Sequence, residues 1–205
     1  MNAFTYFESP IGRLLLTSDG SVLTGLYMEP SHETQSTEGW VQDRTLAPLA
    51  ATLRQLKEYF AGTRRAFDLP MRLEGTAFQQ RVWRELNEIP YGQTWSYGEL
   101  AKRIGNPSGS RAVGLANGRN PISVLVPCHR VIGADGSLTG YGGGLERKRW
   151  LLAHEGAISR GLDLGDRLLN QGQGDGEYRT AAVRSIGSNG RTAVKLSDEP
   201  HDIQA

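Results

Sequence analysis

The chain has 205 residues, 38% of them hydrophobic and 22% charged, with a formal net charge of +1. This suits one or two small soluble globular domains, and no apolar run is long enough to cross a bilayer. The single cysteine, Cys128, excludes an internal disulfide and a cysteine-rich zinc site.

From the N-terminus, Met1 to Pro10 shows no basic patch followed by an apolar stretch. No signal peptide is therefore expected, and the cytoplasm is the expected location. Phe4 to Phe7, Arg13 to Thr17 and Val22 to Met28 read as short strands. The turn sequences Ser9-Pro10-Ile11-Gly12 and Ser18-Asp19-Gly20 separate them. Ser31 to Asp43 is polar and reads as a loop. Pro48 to Phe60 carries Leu49, Leu53, Leu56 and Phe60 at helical spacing, with Gly62 as a stop. Phe67 to Leu69 is a candidate for a further short strand. Residues 1–74 thus read as a small α+β domain with no evident chemistry.

Thr76 to Asn87 is a second amphipathic helix, with Phe78, Val82, Trp83 and Leu86 on its inner side. After the break at Pro90-Tyr91-Gly92, Ser96-Tyr97-Gly98-Glu99 has the form of a capping box. The helix it opens is expected to run to Ile104, with Gly105 as its stop. Asn106-Pro107 predicts a second cap with proline at the first helical position, for a helix ending near Asn117 at Gly118. Two short capped helices joined by a glycine-containing turn are a helix-turn-helix candidate, and equally an ordinary helical hairpin. The second helix is built of small residues, Ser108, Gly109, Ala112, Gly114 and Ala116, and Arg111 is its only long charged side chain. Ser123 to Val126 is a short apolar run, Gly133 to Gly144 a glycine-rich loop, and Leu145 to His154 a last helix closed by Gly156. These elements make up a mainly helical domain over 75–159. Residues 160–205 mix Gly, Asp, Asn, Gln and Ser without periodicity and read as a mostly disordered tail.

Charge is unevenly distributed. The balance is −3 over residues 1–100, +6 over 101–150 and −2 over 151–205. The basic block surrounds Cys128, where a positive field attracts polyanions and favours a thiolate; a solvated basic face would look the same. In Pro127-Cys128-His129-Arg130-Val131, adjacent side chains on an extended chain would point to opposite faces. A water between Cys128 and His129 is then a better expectation than a direct bond. A base, a thiolate and an acidic residue to orient the base make a nucleophilic site, and Glu155 is a candidate orienter. A lone cysteine can equally be an inert buried hydrophobe.

These residues resemble the methylated-DNA–protein-cysteine methyltransferases, the 6-O-alkylguanine repair proteins. The resemblance extends from Phe4 to Gly156. It rests on Pro127-Cys128-His129-Arg130-Val131, Tyr91-Gly92 with Ser96-Tyr97, Arg111-Ala112-Val113-Gly114, Ala116-Asn117-Gly118, Asn120-Pro121, Gly140 to Gly144 and Leu151 to Gly156, in order and spacing. It implies a small ribonuclease-H-like α+β domain followed by a winged helix-turn-helix-like domain that binds DNA and carries the active site. It also implies transfer of the alkyl group of 6-O-methylguanine, and less efficiently of 4-O-methylthymine, from a flipped nucleotide to Cys128, once per chain. By the same resemblance the catalytic set is Cys128, its base His129, the orienting Glu155, Asn120 bracing the turn, and Tyr97 at the flipped nucleotide. Arg111 would fill the vacated base stack, with Ala112, Gly114, Tyr97 and Arg119 also on DNA. Tyr141, Gly142 and Val131 would line the base pocket. Read as residues alone, Asn120 could be a plain helix-end asparagine, Tyr97 a core tyrosine, Arg111 a phosphate contact and Gly142 a turn glycine. No metal or organic cofactor is implied, and the expected partner of a monomer is double-stranded DNA carrying alkylated bases, with no membrane. A non-catalytic lesion-binding or regulatory protein and a cysteine hydrolase are the competing readings, and acceptor activity of Cys128 separates them.

Overall fold

Strands β1 (Ala3–Ser9) and β2 (Gly12–Ser18) form an antiparallel hairpin in register from Ala3 with Ser18 to Ser9 with Gly12. Gly12 supplies the positive φ, +97°, that the reversal needs. Strand β3 (Leu23–Met28) adds antiparallel to β2. β2 is buried from Leu14 to Ser18 without alternation, as expected of a strand covered on both faces. The computed structural model describes residues 2–29 and 36–159, so the expected tail over 160–205 and the start of the expected 31–43 loop lie outside the described residues.

The remainder of that loop is not all irregular. Val41–Gln42 is a strand, β4, parallel to β1, which completes the order β3-β2-β1-β4. Both of its residues are exposed, so no hydrophobic pattern marks it; the open backbone edge of β1 recruits it. Helix α1 (Ala47–Phe60) buries Leu49, Leu56 and Tyr59 beneath the sheet. The strand expected at Phe67 to Leu69 is absent. Gln55 does the work of a partner strand there: its Nε2 donates to the Asp68 carbonyl at 2.8 Å and its Oε1 accepts from the Asp68 amide at 2.9 Å. Strand-like pairing appears instead at Met71, bridged to Leu23.

Helix α2 (Ala77–Leu86) opens on a capping box of Thr76 and Gln79. Its Trp83 indole donates to the Ala116 carbonyl at 2.8 Å, which ties α2 to the second helix of the hairpin. Strand β5 (Trp95–Ser96) leads into α3 (Tyr97–Arg103), whose Ser96–Glu99 capping box forms as expected. Helix α4 (Ser110–Gly118) begins three residues later than the Asn106-Pro107 signal predicts. Asn106 to Gly109 close a tight turn instead, with the Gly109 amide on the Asn106 carbonyl at 2.9 Å. Proline serves position i+1 of such a turn as readily as the first position of a helix. After a 3-10 turn at Cys128–Arg130, strand β6 (Val131–Ile132) pairs parallel with β5. Helix α5 (Leu145–His154) is closed by Glu155 and then Gly156 at φ +76°.

The first sheet reaches into the C-terminal half. The Leu26 amide donates to the Pro121 carbonyl at 2.9 Å and the Ser123 amide to the Leu26 carbonyl at 3.0 Å. Strand β3 therefore steadies the segment just before Cys128, and Leu26, Ile122, Val126 and Leu151 share one core.

Candidate active site

Cys128 follows a turn with unusual geometry. The Leu125 amide donates to the Ser123 carbonyl at 2.9 Å, which closes a γ-turn around Val124 at φ +71°. For a β-branched residue this conformation costs on the order of 1–3 kcal/mol, so neighbours must hold it. Asn120 does much of the holding. Its Nδ2 lies 2.8 Å from the Val126 carbonyl, 3.4 Å from the Ile122 carbonyl and 3.1 Å from Cys128 Sγ, while its Oδ1 accepts from the Ile122 amide at 3.0 Å. Asn117, one turn earlier on α4, donates to the Cys128 carbonyl at 3.3 Å.

Cys128 and His129 lie in a 3-10 turn, not on an extended chain, so the alternation argument does not apply to them. There is nevertheless no direct bond between the two side chains. His129 is fully buried, and its Nε2 lies 2.9 Å from Glu155 Oε1. Arg130 reaches both oxygens of the same carboxylate, Nε to Oε2 at 2.8 Å and Nη2 to Oε1 at 3.0 Å. The Tyr59 hydroxyl donates to Oε1 at 2.7 Å and the Gly92 amide to Oε2 at 3.3 Å.

The charge states follow. Burial alone would push the Glu155 carboxyl up, but the hydrogen bonds from His129 and Arg130, with the Arg130 charge, outweigh it and hold the group well below the usual carboxylate range. An ionised Glu155 only accepts, so the proton of the imidazole sits on Nε2. Burial also lowers His129 despite its carboxylate partner, which leaves the ring neutral at pH 7. His129 Nδ1 is then a bare acceptor, buried and without a hydrogen-bond partner among the described residues. Burial raises the Cys128 thiol, and the Asn120 hydrogen bond and the Lys148 charge only partly offset this. The basic block around Cys128 thus does not produce a resting low-pKa thiolate, because desolvation outweighs the field.

Cys128 opens onto a narrow pocket walled by Asn120, Ser123, Tyr141, Gly142 and Gly143, and by Tyr27 and Met28 from β3. The Tyr141 hydroxyl is buried without a hydrogen-bond partner among the described residues. Val131, expected in this wall, does not line it. Pairing with Trp95 in the β5–β6 ladder turns it into the core, where it is fully buried. The Tyr97 hydroxyl lies 3.1 Å from the Thr139 carbonyl and 3.2 Å from that of Gly140. Buried Lys148 reaches the same two carbonyls, at 2.7 and 3.4 Å.

Residues 77–157 match the family of the 6-O-methylguanine DNA methyltransferase DNA binding domain, and residues 2–73 that of its ribonuclease-like domain. The chain belongs to this family. A methylated-DNA–protein-cysteine methyltransferase of Methanosarcina acetivorans is 51% identical over 155 residues, which are 75% of this chain and 98% of the relative. One of Mycobacterium bovis is 56% identical over 149 residues, 72% of this chain and 88% of the relative. The crystal structure of Mycobacterium tuberculosis OGT in complex with DNA superposes with a TM-score of 0.70 at 52% identity, covering 76% of this chain and 93% of that one.

In this family member, α4 presents Arg111, Ala112, Leu115, Gly118 and Arg119 to solvent, one face at helical spacing. Gly114 instead faces the Tyr97 ring, where an added Cβ would lie 3.6 Å from Cε1. Arg111 does not stand alone on its surface, since Leu115, one turn on, is 64% exposed. Leu115, Asn117, Tyr59, Tyr27 and Met28 are not among the expected site residues. Asn117 alone carried a local signal: a polar side chain in the buried stripe of Val113 and Ala116.

Proposed function

We propose that Cys128 Sγ takes the alkyl group from 6-O-methylguanine, and less efficiently from 4-O-methylthymine, in a nucleotide flipped out of duplex DNA. The chain is a DNA-repair methyltransferase of the methylated-DNA–protein-cysteine class, and DNA is its partner. The observation that carries the assignment of the acceptor is the setting of Cys128. Its sulfur faces a pocket beside a neutral His129 whose Nε2 is engaged by Glu155 and whose Nδ1 is left to accept.

In this reading the thiol proton passes to His129 Nδ1 through a water, and the thiolate attacks the alkyl carbon. The carbon–oxygen bond breaks with its electron pair going to the base, which takes a proton from the Tyr97 hydroxyl or is stabilised by a hydrogen bond from an amide of the pocket loop. An alkyl carbon buried in a base stack is out of reach of any side chain, which is why the nucleotide must leave the helix. Among the described residues no group near Cys128 can cleave the thioether, so each chain reacts once. Asn120 positions the sulfur, Glu155 orients His129, and Tyr141 and Gly142 line the base pocket. Arg111, Ala112 and Arg119, with Gly114 and Tyr97 behind them, form the DNA face. No step calls for a metal or organic cofactor.

We keep an N-terminal domain over 1–74 and a C-terminal one over 75–159, supported by the two family matches meeting between residues 73 and 77. Among the described residues no helix is long and apolar enough to cross a membrane. A monomer in the cytoplasm, where a lone thiol stays reduced, suits this chemistry.

The test is to incubate the protein with alkyl-labelled duplex and locate the label by peptide mass. Label is expected on the Cys128 peptide alone. Cys128→Ser should abolish transfer and retain DNA binding, because a hydroxyl is a far weaker nucleophile at neutral pH. Label on the variant would refute the assignment.

A further inference from the structure

The N-terminal sheet lends Tyr27 and Met28 to the pocket wall, and one α1 side chain reaches the charged groups beside Cys128. We propose that Tyr59 is a positioning residue for alkyl transfer, its phenol clamping the Glu155 oxygen that holds His129. The proposal rests on the reading of His129 and Glu155 given above.

Tyr59 is fully buried, and its hydroxyl lies 2.7 Å from Glu155 Oε1, across 96 residues of chain. That oxygen also meets His129 Nε2 at 2.9 Å and Arg130 Nη2 at 3.0 Å. Three donors converge on one oxygen, and two more, Arg130 Nε and the Gly92 amide, on the other. A carboxylate offers about four lone-pair directions, so five donors leave it little freedom to rotate. The backbone of Tyr59 is tied to the same place, since His154 Nε2 donates to its carbonyl at 2.8 Å. The end of α1 is thus bonded to two successive residues at the end of α5, and Trp150 stacks on His154 at 4.9 Å behind them.

A packing role alone would not call for the hydroxyl. The Tyr59 ring already meets Phe60, Phe67, Tyr91 and His154, and a phenylalanine would keep those contacts. The phenol adds a third donor to the oxygen that aligns the imidazole. Without it more of the carboxylate charge faces His129, which favours the imidazolium and reduces the neutral base on the acid side. The other groups facing this carboxylate are His129 and Arg130 from the 3-10 turn and His154 beside it in sequence. Tyr91 lies beneath Arg130 and Arg65, and Lys148 acts on His129 at longer range.

The experiment measures single-turnover transfer from duplex DNA against pH for the full-length wild type, Tyr59→Phe, Glu155→Gln and the double variant, with duplex affinity and thermal unfolding in parallel. Rates are taken per chain competent to bind duplex. Tyr59→Phe should bind duplex as the wild type does and transfer about tenfold more slowly at neutral pH, as the loss of a charge-assisted hydrogen bond predicts. The acid limb of its rate profile should move up by about half a pH unit. A packing defect would change melting without moving that limb. In the Glu155→Gln background the Tyr59→Phe change should cost little further, because both act through one oxygen. A wild-type rate and limb for Tyr59→Phe beside a slow Glu155→Gln would overturn the proposal and leave the His129 reading standing. Full slowing by Tyr59→Phe in both backgrounds would also overturn it, since the phenol would then act by packing. A wild-type rate for Glu155→Gln would overturn the reading on which it rests.

Discussion

Replacing Arg130 by Met removes the guanidinium while keeping most of the buried stem. The change strips Glu155 of two hydrogen bonds, at 2.8 and 3.0 Å, and of a permanent positive partner, and leaves the fully buried carboxylate to His129, Tyr59 and the Gly92 amide. It also frees the Ile89 carbonyl, which Arg130 Nη1 meets at 2.6 Å. Breaking one partner out of a buried ion pair costs about 3–5 kcal/mol. For a folded unit of this size each 1 kcal/mol lowers melting by about 2–4 °C, so a fall of roughly 6–20 °C is expected. The pH dependence separates a lost charge from lost packing. In the wild type Glu155 is held low, so its contribution is present above the unfolded value near pH 4.3 and is lost as pH falls through the lower folded value. In Arg130→Met desolvation should dominate and the carboxyl should rise, so that the native variant takes up a proton where the wild type does not. The stability gap should therefore be widest at neutral pH and narrow as pH falls toward about 5. Urea unfolding of both proteins across that range measures it. A gap below about 1 kcal/mol at neutral pH, or one that grows on acidification, would show that Arg130 does not balance the Glu155 charge.

Two further predictions test the DNA face and the pocket loop. Arg111→Ala should slow transfer from duplex much more than transfer from the free alkylated base, which needs no flipping, and Arg111→Lys should rescue it poorly because an ammonium cannot stack as a guanidinium does; equal slowing on both substrates would refute insertion into the base stack. Burial lowers Lys148 to about 8. The unfolded chain therefore binds the extra proton between about pH 8 and 10.4, and the stability of the wild type relative to Lys148→Met should rise through that window by on the order of 1–3 kcal/mol in denaturant unfolding; a flat difference would refute the shifted lysine.

Much of the fold was legible where the governing physics is local. The hairpin turns, the helical spacing of Leu49, Leu53 and Leu56, the Ser96–Glu99 box and the stops at Gly105 and Gly156 are decided within a few residues, and each forms as its local chemistry predicts. The misreadings fall where a distant partner decides. Val41–Gln42 is a strand because β1 has an open edge, and Phe67 to Leu69 is not one because Gln55 satisfies its backbone. Pro107 has a single local preference that suits a turn and a helix start equally, and the chain takes the turn, closed by the Gly109 amide on the Asn106 carbonyl.

By itself the sequence determined the family, the presence of one possible thiol nucleophile, and the adjacency of that thiol to a histidine, because motif order and residue chemistry are properties of the chain. The tertiary structure alone decided the electrostatic character of the site. Composition placed Cys128 in a basic block, yet burial raises its thiol. Burial also keeps His129 neutral, and Glu155 stays ionised because His129 and Arg130, 26 and 25 residues away along the chain, bond its carboxylate. Desolvation depends on what surrounds a group in space, and no spacing along the chain records it.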